Sequence, residues 1–249
     1  MKKKKSKTKS DVDKIAWDIL CDPPVLEKLK GDEKFWQLIA LARAVNALSF
    51  AHWSVLPFWE DGTLQGMRTR NNLFLFTCAA LSEGLLLVEK MFVNYQGDPA
   101  FADLKTLLKT KTAKKLRNMH LERVRNHMVF HFLPESFGKM VNVPGESMCS
   151  FVAGLGNERV QTYYTFADIL AIEFFVGRPA FNSEDFYKDL DGLMLGTRQL
   201  AADFANAAEK LISQTLLRWG FQMRKQRIGK QLAAAKRKVT QGAKDAGIG

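Results

Sequence analysis

Apolar residues recur at helical spacing along most of this chain. Phe35, Leu38, Ile39, Ala42, Val45, Ala47 and Phe50 predict a helix that opens at Gly31 or Asp32 and runs to about Leu56, before Pro57. Asp61-Gly62 marks a turn. A long helix is predicted from about Leu64 to Tyr95. Between 73 and 88 it is apolar nearly all round, so it should sit centrally in a bundle. The stretch from Leu73 to Val93 is long enough to span a bilayer, but Glu83, Glu89 and Lys90 interrupt it, which favours a buried bundle helix over a membrane span. Gly97-Asp98-Pro99 ends this helix, with Asp98 suited to cap the next one and Pro99 to its first position.

Residues 99–109 predict a short helix, and about Thr112 to Leu133 another, ended or kinked by Pro134. Residues 142–157, with Pro144, Gly145, Gly154 and Gly156, read as the longest loop. Two more helices are expected, about Glu158–Val176 and Ser183–Trp219. Residues 11–21 read as a short amphipathic piece stopped by Pro23-Pro24. No run alternates apolar and polar residues with hairpin turns. The expected fold is therefore all-α, an up-and-down helical bundle with a C-terminal helical extension. It divides into a basic, disordered N-terminus (1–10), an all-helical domain (11–220) and a basic C-terminal tail (221–249). Trp17, Trp36, Trp53, Trp59 and Trp219, together with the phenylalanines, are expected mostly in the core.

Composition changes this picture little; charge changes it more. At 249 residues, 47% hydrophobic and 25% charged, the chain has the profile of a folded protein able to bury a core. Cys21, Cys78 and Cys149 are odd in number and widely spaced, against a disulfide scaffold or a cysteine zinc site. The net charge is +11. Lys2 to Lys9 and Arg224 to Lys244 hold 14 of the 37 cations, leaving 23 cations against 25 anions in residues 10–223. A neutral body with basic ends suits salt-sensitive contact with a polyanion, or simply keeps the chain soluble. The lysine run is followed by Ser10, Asp11, Val12 and Asp13 rather than an apolar segment, so no export signal is read and a cytoplasmic location is expected.

The chemistry concentrates on one predicted helix. His120, His127 and His131 lie within twelve residues, beside Arg117, Arg123 and Arg125. Imidazoles exchange protons near neutrality, and guanidinium groups hold phosphates through two hydrogen bonds at once. That combination suits phosphodiester chemistry. Leu121, Val124, Met128 and Phe132 form one apolar stripe, with the three histidines on a neighbouring one. On an ideal helix Arg125 lies some 120° from His131. The two converge only if the helix breaks locally or a second copy lies alongside. Arg123 and His127 share a face. Lys114, Lys115 and Arg117 belong to a basic stretch that is either a lead-in for RNA or a solvated helix face. His127 and His131 have the spacing of a zinc pair, but Met128 stands where a metalloprotease needs Glu, and no third ligand follows. No metal or cofactor is expected. Glu83, in the most apolar helix, needs a partner, and an arginine is the natural one. It is either a structural ion pair or a near-site carboxylate.

Arg125-Asn126-His127-Met128-Val129-Phe130-His131 resembles the signature of the HEPN superfamily: an Arg, a polar residue directly after it, and a His separated from the Arg by four to six residues, here five. The resemblance covers the motif helix and, loosely, the helical region of about 33–135. It implies an all-helical bundle, commonly dimeric, and for many members metal-independent ribonuclease activity, often in toxins or anti-phage effectors. By that resemblance Arg125 would clamp the scissile phosphate, His131 would act as general acid or base, and Asn126 would orient the reacting groups. His127, Arg123, Lys114, Lys115 and Arg117 would contact substrate. RNA, a second copy, and an antitoxin or other protein would be the partners, with no membrane. The alternative is a non-catalytic helical adaptor for a nucleotide, RNA or protein, with the Arg/His pair structural.

Overall fold

In the computed structural model, residues 15–126, 153–154, 162–163, 165–177 and 184–227 are described. The fold is an all-α helical bundle. The described chain divides into two compact units, one drawn from residues 1–29 and 215–249, the other from residues 30–214.

The larger unit is built on two long helices. Asp32 caps α2 (Glu33–Val55), its carboxylate accepting from the Lys34 N–H at 2.8 Å. A short 3₁₀ turn, Leu56–Phe58, comes next, with Pro57 inside it. Thr63 caps α3 (Leu64–Tyr95) through the Gly66 N–H at 3.1 Å. The two helices pack antiparallel along their length. The Tyr95 hydroxyl donates to the Lys34 carbonyl at 2.6 Å, and Asn94 Nδ2 donates to Gln37 at 3.2 Å. Leu38, Leu41, Val45 and Leu48 of α2 and Cys78, Leu81, Leu85 and Val88 of α3 are all buried in the core. Each such side chain contributes about 1.5–3 kcal/mol by leaving water. Both helices are long and apolar enough to cross a membrane; about a third of the most apolar window in Glu33–Phe58 and half of that in Gln65–Tyr95 are buried inside the fold.

Asp98 and Pro99 behave as the sequence predicts: the Asp98 carboxylate accepts from the Ala100 N–H at 2.9 Å and opens the turn Pro99–Phe101, followed by α4 (Ala102–Lys109). Thr110 caps α5 (Lys111–Leu116). The chain then widens into a π turn, Arg117–Leu121, where the Glu122 N–H bonds the Arg117 carbonyl five residues back. It returns to α geometry in α6 (Glu122–Val124). Helix α7 (Thr165–Val176) and the long α8 (Glu184–Arg218) supply Phe174, Phe175, Phe204 and Leu211 to the core. Gly84 on α3 admits the Phe204 ring of α8; a Cβ there would lie 2.6 Å from its Cζ. Gly177, at φ +87°, ends α7 in the left-handed conformation that favours glycine.

The smaller unit differs from the sequence expectation. Within the segments read as an amphipathic piece and a basic tail, the chain forms two strands, β1 (Ile15–Leu20) and β4 (Gln222–Arg227). They pair antiparallel from Ile15 opposite Arg227 to Leu20 opposite Gln222, with Asp18 opposite Arg224. Opposite charges at facing positions favour such a ladder. Helix α1 (Pro23–Leu29) begins at the two prolines, which open a helix here rather than only stopping one. Two further short strands, β2 (Ala153–Gly154) and β3 (Thr162–Tyr163), pair within the larger unit. The tryptophans are a second departure. Trp36, Trp53 and Trp59 are 55%, 69% and 48% exposed, so they face outward rather than into the core.

Candidate functional site

The candidate site is assembled where α5, the π turn and α6 lie antiparallel to α3. Two guanidinium groups fasten them. Arg117 bonds Glu89 through both terminal nitrogens, one at 2.8 Å, and its Nε bonds Glu122 at 3.0 Å. Those carboxylates hold the Arg117 pKa above its ordinary range. Two turns further on, Arg125 Nε bonds Glu83, and its Nη1 bonds the Asn126 carbonyl oxygen. Arg125, Asn126 and Glu83 are thus brought together, two residues from the motif helix and one from α3. The Glu83 side chain is 46% exposed and that of Arg125 26%, so Glu83 is an accessible carboxylate and not the buried one its apolar helix suggested. Arg125 Nη2 donates to no described residue.

The wide turns matter to this geometry. A π turn accommodates one residue more than an α turn, and it rotates every later residue of the helix around the axis. Residues 125–126 again carry π geometry. His127 and His131 lie outside the described residues.

The other predicted site residues fall in three settings. Lys114 and Lys115 are exposed on α5, near exposed Lys109 and Lys111, and form a solvent-facing cationic edge. Arg123 lies over the ring of buried Phe174, 4.6 Å from its centroid, a packing contact with α7. Arg117 is held by two carboxylates within the chain. His120 is an anchor: it is 5% exposed, and its Nδ1 lies 2.6 Å from the Phe175 carbonyl. Burial, foremost, pushes its pKa below the ordinary histidine value, so the imidazole stays neutral and donates to that carbonyl. Cys78 is fully buried in α3; burial pushes its thiol far above its ordinary range, so it cannot serve as a nucleophile there. Among the described residues, no three His, Cys, Asp or Glu side chains converge to hold a metal ion.

A second feature has no counterpart in the sequence reading. A cleft of about 860 Å³ opens between α2, α3 and α8. His52, Trp53, Trp59, Phe74 and Arg198 line it, with Thr197 also in its wall. Arg198 lies over the Trp59 ring at 5.2 Å, while Arg70 is fastened to the carbonyls of Phe58, at 2.7 Å, and Asp61. The Thr197 hydroxyl is wholly buried without a hydrogen-bond partner among the described residues. Thr197 and Arg198 of α8 lie more than a hundred positions from Trp53 and Phe74 in the chain, and no local motif marks the cleft. Comparison with family models, with curated proteins and with solved structures gives no match.

Proposed function

We propose that this chain is a HEPN-like, metal-independent endoribonuclease acting in the cytoplasm as a homodimer. The observation that supports this reading best is the Arg125–Asn126–Glu83 cluster. A guanidinium is oriented from both sides and partly open to solvent, and one of its terminal nitrogens is available to a phosphate oxygen. In the proposed reaction the ribose 2′-oxygen attacks phosphorus and the bond to the 5′-oxygen breaks. The 2′-proton goes to a base and a proton is delivered to the leaving oxygen. The products are a 2′,3′-cyclic phosphate and a 5′-hydroxyl end. Arg125 stabilises the charge that develops on the phosphoryl oxygens, Asn126 and Glu83 hold its fork in place, and His131 exchanges the protons. Lys114 and Lys115 draw the polyanion toward the cluster. A role as a toxin or anti-phage effector, with an antitoxin as partner, rests on the HEPN resemblance alone.

The second reading is a non-catalytic adaptor, and one observation favours it. Glu83 satisfies Arg125 within the chain, as a purely structural ion pair would. One experiment separates the two. Purified protein is incubated with end-labelled RNA in EDTA, and the new ends are identified. Cleavage that disappears in both Arg125→Ala and His131→Ala, with both variants still folded, supports the ribonuclease. Intact RNA, or equal cutting by the variants, leaves the adaptor.

A further inference from the structure

Helix α2 has two apolar faces. Leu38, Leu41, Val45 and Leu48 are buried against the bundle. On the outer side, Trp36, Ile39, Arg43, Asn46, Phe50 and Trp53 are all exposed. Their spacing alternates three and four residues over two and a half heptads, the a/d repeat of a coiled-coil seam. Trp36, Ile39, Phe50 and Trp53 are each more than half exposed. The Trp36 indole N–H is already satisfied by the Lys30 carbonyl at 2.7 Å, so this ring has no polar need that keeps it in water.

The order of residue types along the stripe reads the same in both directions. Taken about the midpoint between Ala44 and Val45, Trp36 matches Trp53, Ile39 matches Phe50, and Arg43 matches Asn46. An antiparallel two-fold pair of helices superimposes those positions, because a two-fold axis through that midpoint sets each a position of one copy against a d position of the other. We propose that this chain dimerises through α2, antiparallel, with that axis at its centre. The apolar pairs then close both ends of a seam about 26 Å long. Arg43 and Asn46 meet across the axis as a polar layer, which fixes register and orientation. Neither Arg43 nor Asn46 bonds another described residue. In a parallel in-register pairing the two Arg43 guanidinium groups would face each other, and in a slipped antiparallel pairing Arg43 and Asn46 would face tryptophan, isoleucine or phenylalanine, so the polar layer also acts against the alternatives. The four apolar side chains offer roughly 400–500 Å² per copy. With flanking atoms this reaches the low end of specific interfaces, so the dimer should dissociate in the micromolar range. The pairing rests on the homodimer of the proposed function and not on RNA cleavage: a monomeric parent removes both the homodimer and this interface, whereas intact RNA leaves the interface standing.

The test uses the full chain. Sedimentation at tens of micromolar should give a dimer, and Ile39→Lys and Phe50→Lys should each give a folded monomer. The residues are exposed in the single chain, so circular dichroism should not change. Register is read by disulfide formation in a Cys21→Ser, Cys149→Ser background. Ile39→Cys protein mixed with Phe50→Cys protein should cross-link on oxidation. Neither should do so alone, since two copies of residue 39 lie about 16 Å apart along the seam. A monomeric parent, a dimer that survives both lysine variants, cross-linking of Ile39→Cys with itself, or a monomer that floats with lipid vesicles would each overturn the proposal.

Discussion

Gly84→Ala turns the packing of α3 against α8 into a sign that can be measured. In an open helix position the added methyl would stabilise the fold by about 1 kcal/mol through helix propensity. Here it would meet Phe204 at 2.6, 3.0 and 3.3 Å from Cζ, Cε1 and Cε2. Restoring an ordinary 3.4 Å contact requires the ring to retreat by about 0.8 Å. Phe204 is 0% exposed, so it has nowhere to go without displacing its neighbours. Overpacking of this kind costs about 1–3 kcal/mol. The net expectation is a loss of about 1 kcal/mol and at most about 2, or a drop of roughly 2–4 °C per kcal/mol in a chain of this size. Urea unfolding followed by circular dichroism measures it. The second arm is Phe204→Leu, which removes the obstructing ring edge. In that background Gly84→Ala should become stabilising by about 1 kcal/mol. If Gly84→Ala stabilises the parent as well, the close approach of the two helices is not as described. Because Glu83 is the adjacent residue, the variant also tests whether α3 keeps its carboxylate beside Arg125.

Arg117→Ala should lower stability by about 1 kcal/mol, because it releases both Glu89 and Glu122 from partly exposed pairs; chemical unfolding measures the loss. Arg117→Lys should recover only part of it, since an ammonium cannot bridge two carboxylates as a planar fork does. His120 predicts an acid-sensitive fold. Its folded pKa lies below the ordinary value of 6.5, so the unfolded chain takes up the proton first; stability is fully present above that value and is lost as pH falls from there toward the folded pKa. Melting temperatures between neutral and mildly acidic pH should fall less steeply in a folded His120→Gln variant than in the parent. Thr197→Val should raise stability by about 1 kcal/mol, seen in urea unfolding, because a buried hydroxyl with no partner among the described residues is replaced by a methyl of similar shape.

Local events are already written in the order of residues. Asp32, Thr63, Asp98 and Pro99 punctuate the helices by short-range hydrogen bonds and fixed backbone angles, and their effects do not depend on what lies across the core. The length of α3 and its central burial come from an unbroken apolar run. A partner for Glu83 is also legible, because a carboxylate in so apolar a helix needs a cation; which arginine answers it is settled only by the antiparallel approach of α6. Long-range packing fixes the rest. β1 and β4 are joined across some two hundred residues, and a ladder of that range leaves no periodic trace in either segment. The outward tryptophans of α2 carry the same helical spacing as its core leucines, so periodicity marks the helix but cannot say which of two apolar faces the bundle covers. The π turn at Arg117–Leu121 redirects Arg125 after a stretch that reads as ordinary helix, because the sequence specifies that the chain coils while packing against α3 and α7 decides where it must widen.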